Sequence, residues 1–196
     1  MKKYSIILVL AIASLQLNAQ ERLWKVNWDM NAPVGQTAEF IDNYSFRGFS
    51  IEGNWFVVDH LSLGINFSWG LFYENTGKIS ENIANNNAVV TGTQKRYNNF
   101  TPIMFNAKYH FGDWPVRPYI GFGFGPAWNE TVKNIGLYQV YNKNWLFAIA
   151  PEVGILIPFI DNFGLNLSAK YQQGFWKDGQ DLQTFTISVG FVFGDL

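Results

Sequence analysis

Residues Leu61–Tyr73 set the pattern that the rest of the chain repeats. Alternate positions read Leu61, Leu63, Ile65, Phe67, Trp69, Leu71 and Tyr73, while Ser62, Gly64, Asn66, Ser68 and Gly70 fall between them, with Phe72 the exception. Successive side chains of a strand point to opposite faces, so this stretch predicts a strand with one apolar face and one small or polar face. It is also long: a globular strand averages roughly 5–6 residues, whereas a run from 61 to 73 suits a tilted strand crossing a hydrocarbon layer about 30 Å thick.

The same alternation recurs along the chain. Trp24–Ala32 places Trp24, Val26, Trp28 and Met30 against Lys25, Asn27, Asp29 and Asn31, and a linker with Pro33 and Gly35 follows to about Ser45. Phe46–Val57 sets Phe49, Ile51, Trp55 and Val57 against Gly48, Ser50, Glu52 and Asn54, and a short turn at Asp59-His60 leads into the 61–73 strand. Beyond a polar segment, Glu74–Asn99, come Thr101–Phe111, a tight turn at Gly112-Asp113-Trp114-Pro115, and Tyr119–Trp128. A second polar linker, Asn129–Asn144, precedes Trp145–Ile157, and a turn at Pro158–Asn162 precedes Phe163–Tyr171. After a linker holding Trp176, Lys177, Asp178 and Gly179, the last strand carries Phe185, Ile187, Val189, Phe191 and Phe193 on one face. Eight strands result, with long and short connections in strict alternation. That asymmetry predicts an all-β, eight-stranded antiparallel up-and-down transmembrane β-barrel, with long loops outside and tight turns in the periplasm.

Composition agrees with this picture. Charged residues make up 15% of the chain and aromatics 18%, and there are 18 glycines. A soluble domain averages roughly 25% charged. No internal stretch is continuously apolar over the 18 or more residues of a membrane helix, so the apolar content is spread by alternation. Cysteine is absent, which removes disulfides and thiolate chemistry. Residues 1–19 form a separate unit. Lys2 and Lys3, the apolar Ile6–Ile12 and the Leu17-Asn18-Ala19 site predict a cleaved secretory signal peptide, leaving 20–196 as one barrel domain. Without Lys2 and Lys3, 12 basic residues face 15 acidic ones, a net charge of −3 with no basic stripe, which argues against nucleic acid.

A soluble eight-stranded barrel of the lipocalin kind, apolar inside, is the competing architecture. The Gly, Ala and Ser content of the non-apolar face favours the membrane barrel, because small residues suit a narrow lumen better than a solvated exterior. Trp55, Trp69, Tyr73, Tyr109, Trp128, Trp145 and Tyr171 gather near strand ends, as aromatic girdles at the two membrane interfaces require.

On these residues, together with Pro33-Val34-Gly35, Gly48–Gly53, Ser62-Leu63-Gly64 and Ser188–Phe193, the chain resembles small outer-membrane β-barrel proteins, the OmpX/OmpW/OmpA-barrel-like superfamily. The resemblance implies a porin-family type of barrel domain in the cell outer membrane of a Gram-negative envelope. It implies contact with outer-membrane lipids and lipopolysaccharide, and insertion by the outer-membrane assembly machinery. That machinery favours a terminal aromatic residue, whereas here Phe193 is followed by Gly194, Asp195 and Leu196.

Three groups of residues invite a chemical reading. Lys25, Asp29, Glu52, Lys108, Glu152 and Lys170 all fall on the small or polar face, three cations and three anions. They predict a charge network in the lumen, either a plug that fills the barrel or a charged constriction that gates it. His60 and Ser62 beside Asp59 resemble the His/Ser/acid set of lipid A deacylase-type barrels, but His60 falls in a periplasmic turn. His60 and His110 share a rim and make a weak metal pair. Gly121-x-Gly123-x-Gly125 sits inside a strand, so it makes room in the lumen and is not a phosphate loop. Arg47, at an extracellular strand end, is placed to reach anionic headgroups. No catalytic residue, cofactor or metal is expected. The leading functional expectation is a non-enzymatic barrel whose loops meet an extracellular ligand. A narrow channel for small or apolar solutes follows, favoured by Phe72, Met104 and Leu146 on the polar face, and a lipid-modifying enzyme comes third.

Overall fold

Period-two alternation closes into a ring. The computed structural model describes residues 21–83, 88–112, 115–175 and 181–195. The signal-peptide segment, Asp113-Trp114 and Trp176–Gly179 lie outside them. Eight strands run β1 (Arg22–Pro33), β2 (Gly48–Val58), β3 (Leu61–Ile83), β4 (Ala88–His110), β5 (Arg117–Ile135), β6 (Tyr138–Ile160), β7 (Phe163–Phe175) and β8 (Leu182–Gly194). Each pairs antiparallel with its sequence neighbours, and β1 pairs with β8 from Leu23↔Gly194 to Pro33↔Thr184, which closes the barrel.

The apolar face points outward. On β5, Ile120, Phe122 and Phe124 are 51%, 48% and 47% exposed, whereas Tyr119, one residue out of phase, is 1% exposed. Lys25, Asp29, Glu52 and Lys108 are buried inside. A water-soluble barrel would carry the opposite pattern, so the outward apolar band is built for hydrocarbon.

Two sequence expectations need correction. Within Glu74–Asn99 and Asn129–Asn144, residues 74–83, 88–99, 129–135 and 138–144 are strand and not loop. β3 and β4 remain paired from Leu61↔Tyr109 up to Ile83↔Ala88, and β5 and β6 up to Ile135↔Tyr138. The reason is solvation: outside the membrane both faces of a sheet are wetted, so apolar alternation disappears while β-forming residues such as Val89, Val90, Tyr97, Val132, Val140 and Tyr141 remain. Ion pairs across the extension, Lys133–Glu81 at 2.7 Å and Lys143–Glu130 at 3.0 Å, add cross-strand support. A membrane crossing uses roughly 9–11 residues of a strand. β3, β4 and β6 have 23 residues each, so β3–β6 rise well beyond the bilayer as a four-stranded sheet.

The Pro33–Ser45 linker holds the second correction. Gly35–Phe40 forms a short helix, α1, and β2 begins at Gly48, not Phe46. α1 is tied to the mouth of the barrel: Gln36 N–H donates to Gln183 Oε1 at 2.9 Å, Gln183 N–H to Thr37 Oγ1 at 2.7 Å, and Arg96 Nη1 to the Phe40 carbonyl at 2.8 Å. Ile41, just after it, is fully buried in the mouth.

Glycines in the Gly121-x-Gly123-x-Gly125 run differ in what they permit. A Cβ on Gly125 would collide with the Ile103 carbonyl oxygen across the β4–β5 seam, whereas one on Gly123 would meet Met104 Sδ at an ordinary 3.5 Å. Gly125→Ala is therefore expected to lose about 1–3 kcal/mol of stability. Gly123→Ala should stay within about 0.5 kcal/mol. Urea titration of the refolded barrel in vesicles, read by heat-modifiable gel mobility, checks the difference.

Candidate functional site: the barrel lumen

The inward positions stack in three levels from the end with the short β2–β3, β4–β5 and β6–β7 turns upward. At the bottom, Leu23, Phe56, Leu156 and Val192 pack with the ring of Tyr119. Phase alone places these residues: each falls in register with the small or polar face of its strand, although its side chain is large and apolar.

The charged level lies above. β1 and β2 set Lys25 opposite Glu52 in register, and Lys25 Nζ stands 3.3 Å from Glu52 Oε1. Lys108 Nζ reaches across from β4 and touches Glu52 Oε1 at 2.7 Å and Glu152 Oε2 at 2.9 Å. Two cations and two carboxylates thus form one neutral cluster. Glu52 is its hub, since its oxygens also accept from Asn54 Nδ2 at 2.5 Å and Asn66 Nδ2 at 3.2 Å. Tyr119 closes the cluster from below. Its hydroxyl lies 2.8 Å from Glu152 Oε1 and 2.9 Å from Asn166 Oδ1. The Lys25 ammonium sits 4.2 Å from the centroid of the Tyr119 ring, where the negative face of the π system offsets part of its lost hydration.

Asp29 and Lys170 stand apart from this cluster. Ser50 Oγ donates to Asp29 Oδ1 at 3.2 Å, and Asn27 Nδ2 donates to Ser50 Oγ at 3.2 Å. Lys170 is opposite Glu152 in the β6–β7 register and buried, yet among the described residues it makes no ion pair within 4 Å. It borders a cavity of only about 10 Å³, between Glu52, Asn66, Met104 and Glu152. That is room for about one water molecule.

The top level is apolar. Phe72, Met104 and Leu146, the apolar residues that the sequence marks on the polar face as favouring a channel, meet there with Phe100, Leu182 and Ile41. Phe72 and Phe100 stack with ring centroids 5.5 Å apart.

Tyr119, Asn54, Asn66 and Asn166 complete the charged level but were not singled out from sequence. Their phase was readable, since Tyr119 alternates with Gly121 and Gly123. The contact partners were not, because Lys108 and Glu152 lie on strands that do not adjoin. His60 lies in the turn before β3, as its place in the sequence predicts. Ser62 Oγ lies 3.1 Å from His110 Nε2 inside the barrel, whereas His60 is exposed and packs on Tyr109. One residue of strand phase separates Tyr109 from His110, so the two histidines face opposite sides of the wall.

At the rims, Trp128 and Trp145 are cross-strand partners with centroids 5.2 Å apart, and Tyr73 pairs with Tyr97 at 5.0 Å. At the short-turn end Trp55 meets Trp24 at 6.1 Å, and Tyr109 packs against Phe111 at 4.9 Å. Trp69 lies 5.9 Å from Phe49, and Tyr171 is partly exposed on β7. Arg47 is exposed just before β2.

No protein-family model matches the sequence, and no curated protein matches it in sequence. Solved structures do match in shape. Neisserial surface protein A aligns with a TM-score of 0.53 at 12% identity, covering 88% of this chain and 95% of that one. Ail, the attachment invasion locus protein of Yersinia pestis, aligns with a TM-score of 0.51 at 10% identity, covering 89% of this chain and 96% of that one. The chain has the fold of the small eight-stranded outer-membrane β-barrels.

Proposed function

We propose that this chain, exported through a cleaved signal peptide, is an integral outer-membrane protein. In this reading it is a closed post whose lumen is filled by side chains and whose raised β3–β6 sheet is the working surface. The observation that carries this reading is the neutral Lys25–Glu52–Lys108–Glu152 cluster, buried between two apolar levels. A conducting pore needs a hydrated path, whereas here carboxylates and ammonium groups neutralise each other directly. The outward apolar band and its aromatic rims support residence among outer-membrane lipids, with lipopolysaccharide on the outer side and Arg47 within reach of its anionic groups. The outer-membrane assembly machinery would insert it, and the raised sheet would meet an extracellular ligand.

A narrow channel for small apolar solutes is the second reading, and the Phe72–Phe100–Met104–Leu146 level is what favours it. Planar-bilayer recordings of the refolded mature chain separate the two. The closed-post reading expects a silent wild type, with openings appearing in Glu152→Gln, which takes one carboxylate from Lys108. Steady unitary openings in the wild type would overturn it in favour of the channel.

The proposal is non-enzymatic. Ser62 is fully buried, and among the described residues His110 Nδ1 has no hydrogen-bond partner, so none of them supplies the acid that orients a hydrolytic histidine. Mass spectra of lipid A are expected to be identical with and without expression of the chain. A mass change abolished by Ser62→Ala would sink this part of the reading.

Stability offers an independent check on the cluster. Removing one partner of a buried ion pair typically costs about 3–5 kcal/mol, because the other charge is left uncompensated. Glu52→Gln, which strands Lys25 and leaves Lys108 with Glu152 alone, should fall in that range. Combined with Lys108→Met it should cost less than the two single losses added together, the signature of a shared contact.

A further inference from the structure

The outward apolar wall is uneven on the β6–β8 side. Ser168 and Lys170 are buried in the lumen, so Ala169 between them faces outward on β7. It stands in register between Val153 of β6 and Ile187 of β8. Those branched neighbours are 56% and 47% exposed, whereas Ala169 supplies only a methyl group. With Ile155 and Leu167 just below, they frame a shallow groove of about 440 Å³ on the outside of the barrel. Ala169 is seven residues above Asn162, the last residue of the β6–β7 turn. At about 3.3 Å per residue and a strand tilt of about 40°, it lies about 18 Å above that turn, in the upper half of an apolar band about 25 Å tall.

A polar strip begins directly above the groove. Tyr171 follows Ala169 on the same face, and beyond it Gln173 stands opposite Gln183 in register. Tyr171 Oη donates to Gln173 Oε1 at 3.0 Å, and Gln183 Nε2 donates to the same oxygen at 2.9 Å. Gln173 Nε2 donates to Asp181 Oδ2 at 3.0 Å. The strip is thus built of a phenol, two amides and one carboxylate. β7 and β8 carry a single cation, Lys170, and it points into the lumen.

We infer that the β6–β8 wall is a binding site for one glycolipid of the outer leaflet, with an acyl chain of lipid A in the groove at Ala169 and its glucosamine hydroxyls on the Tyr171–Gln173–Gln183 strip. Inside hydrocarbon no hydrophobic force drives a chain onto the wall, so close packing decides where it rests. A chain laid between Val153 and Ile187 gains contacts on both flanks as well as from the floor, where a flat wall offers one side. The strip selects the head. Sugar hydroxyls both donate and accept, as do the amides and the phenol. A phospholipid brings ester carbonyls and a phosphate to the same depth, which only accept, and the strip has no cation to meet the phosphate. Lipid A joins its chains directly to a sugar and is the better occupant.

This inference rests on the outer-membrane reading with the raised sheet outside, and the two fail separately. A barrel that folds, shows heat-modifiable mobility and stays silent in planar bilayers, yet holds no lipid A, sinks the site and leaves that reading standing. The refolded full barrel is equilibrated in micelles holding equal amounts of hexa-acylated lipid A and phosphatidylethanolamine, and the lipids that stay bound are weighed by native mass spectrometry. The wild type is expected to keep one lipid A in preference to phosphatidylethanolamine. Ala169→Phe fills the groove and should lower the ratio of lipid A-bound to free barrel about tenfold. Ala107→Phe makes the same change on the outward face of β4, away from the groove, and should leave that ratio as it is. Three further results would overturn the proposal: equal retention of the two lipids by the wild type, equal retention of lipid A by the two variants, or a dimer that Ala169→Phe abolishes, which would assign the groove to a second copy.

Discussion

Hydrocarbon offers a backbone no hydrogen-bond partner, and the rest of this structure follows from that constraint. A sheet can lie in such a medium only if its last strand returns to its first, which β8 does along the whole of β1. Closure with eight strands then fixes a lumen barely wide enough for side chains, so every inward residue has to be small or to find a partner. The glycines, serines and asparagines of the inner face satisfy the first condition. The cluster around Glu52 satisfies the second. Where the chain leaves the hydrocarbon the constraint lapses, and β3–β6 carry open edges that would be prohibitive a few residues lower.

The lumen shows how an interior can be filled with charge and remain neutral. Glu52 serves two lysines and Lys108 serves two carboxylates, so these two ions tie the cluster together, while Lys25 and Glu152 each rest on one ionic contact. Tyr119 belongs both to the charged level, through its hydroxyl and its π face, and to the apolar level below, through its ring. α1 and Ile41 seal the opposite end with apolar contacts in place of ionic ones.

Much of this was legible in the sequence, for a reason that also sets the limit. Period-two alternation exists only where the two faces meet different media, so strands inside the membrane announced themselves, as Leu61–Tyr73 does. The upper halves of β3–β6 have water on both sides, and their residues read as loop. The inward charges could be listed from phase alone, but not their pairing. Lys108 and Glu152 are 44 residues apart on strands separated by β5, and only closure brings them face to face. The ladder sets Ser62 beside His110, a contact between neighbouring strands that alternation alone does not single out.

The cluster draws its four charges from β1, β2, β4 and β6, and that dispersal bears on how the barrel can form. A partly assembled sheet holding only β1 and β2 carries Lys25 and Glu52 without Lys108, and one that stops before β6 lacks the second carboxylate. The first still pairs one cation with one anion, whereas the second leaves the cluster with one cation in excess. Lys108 finds its second carboxylate only when β6 joins, so the cluster of four is a property of the nearly complete ring and of no smaller piece of it.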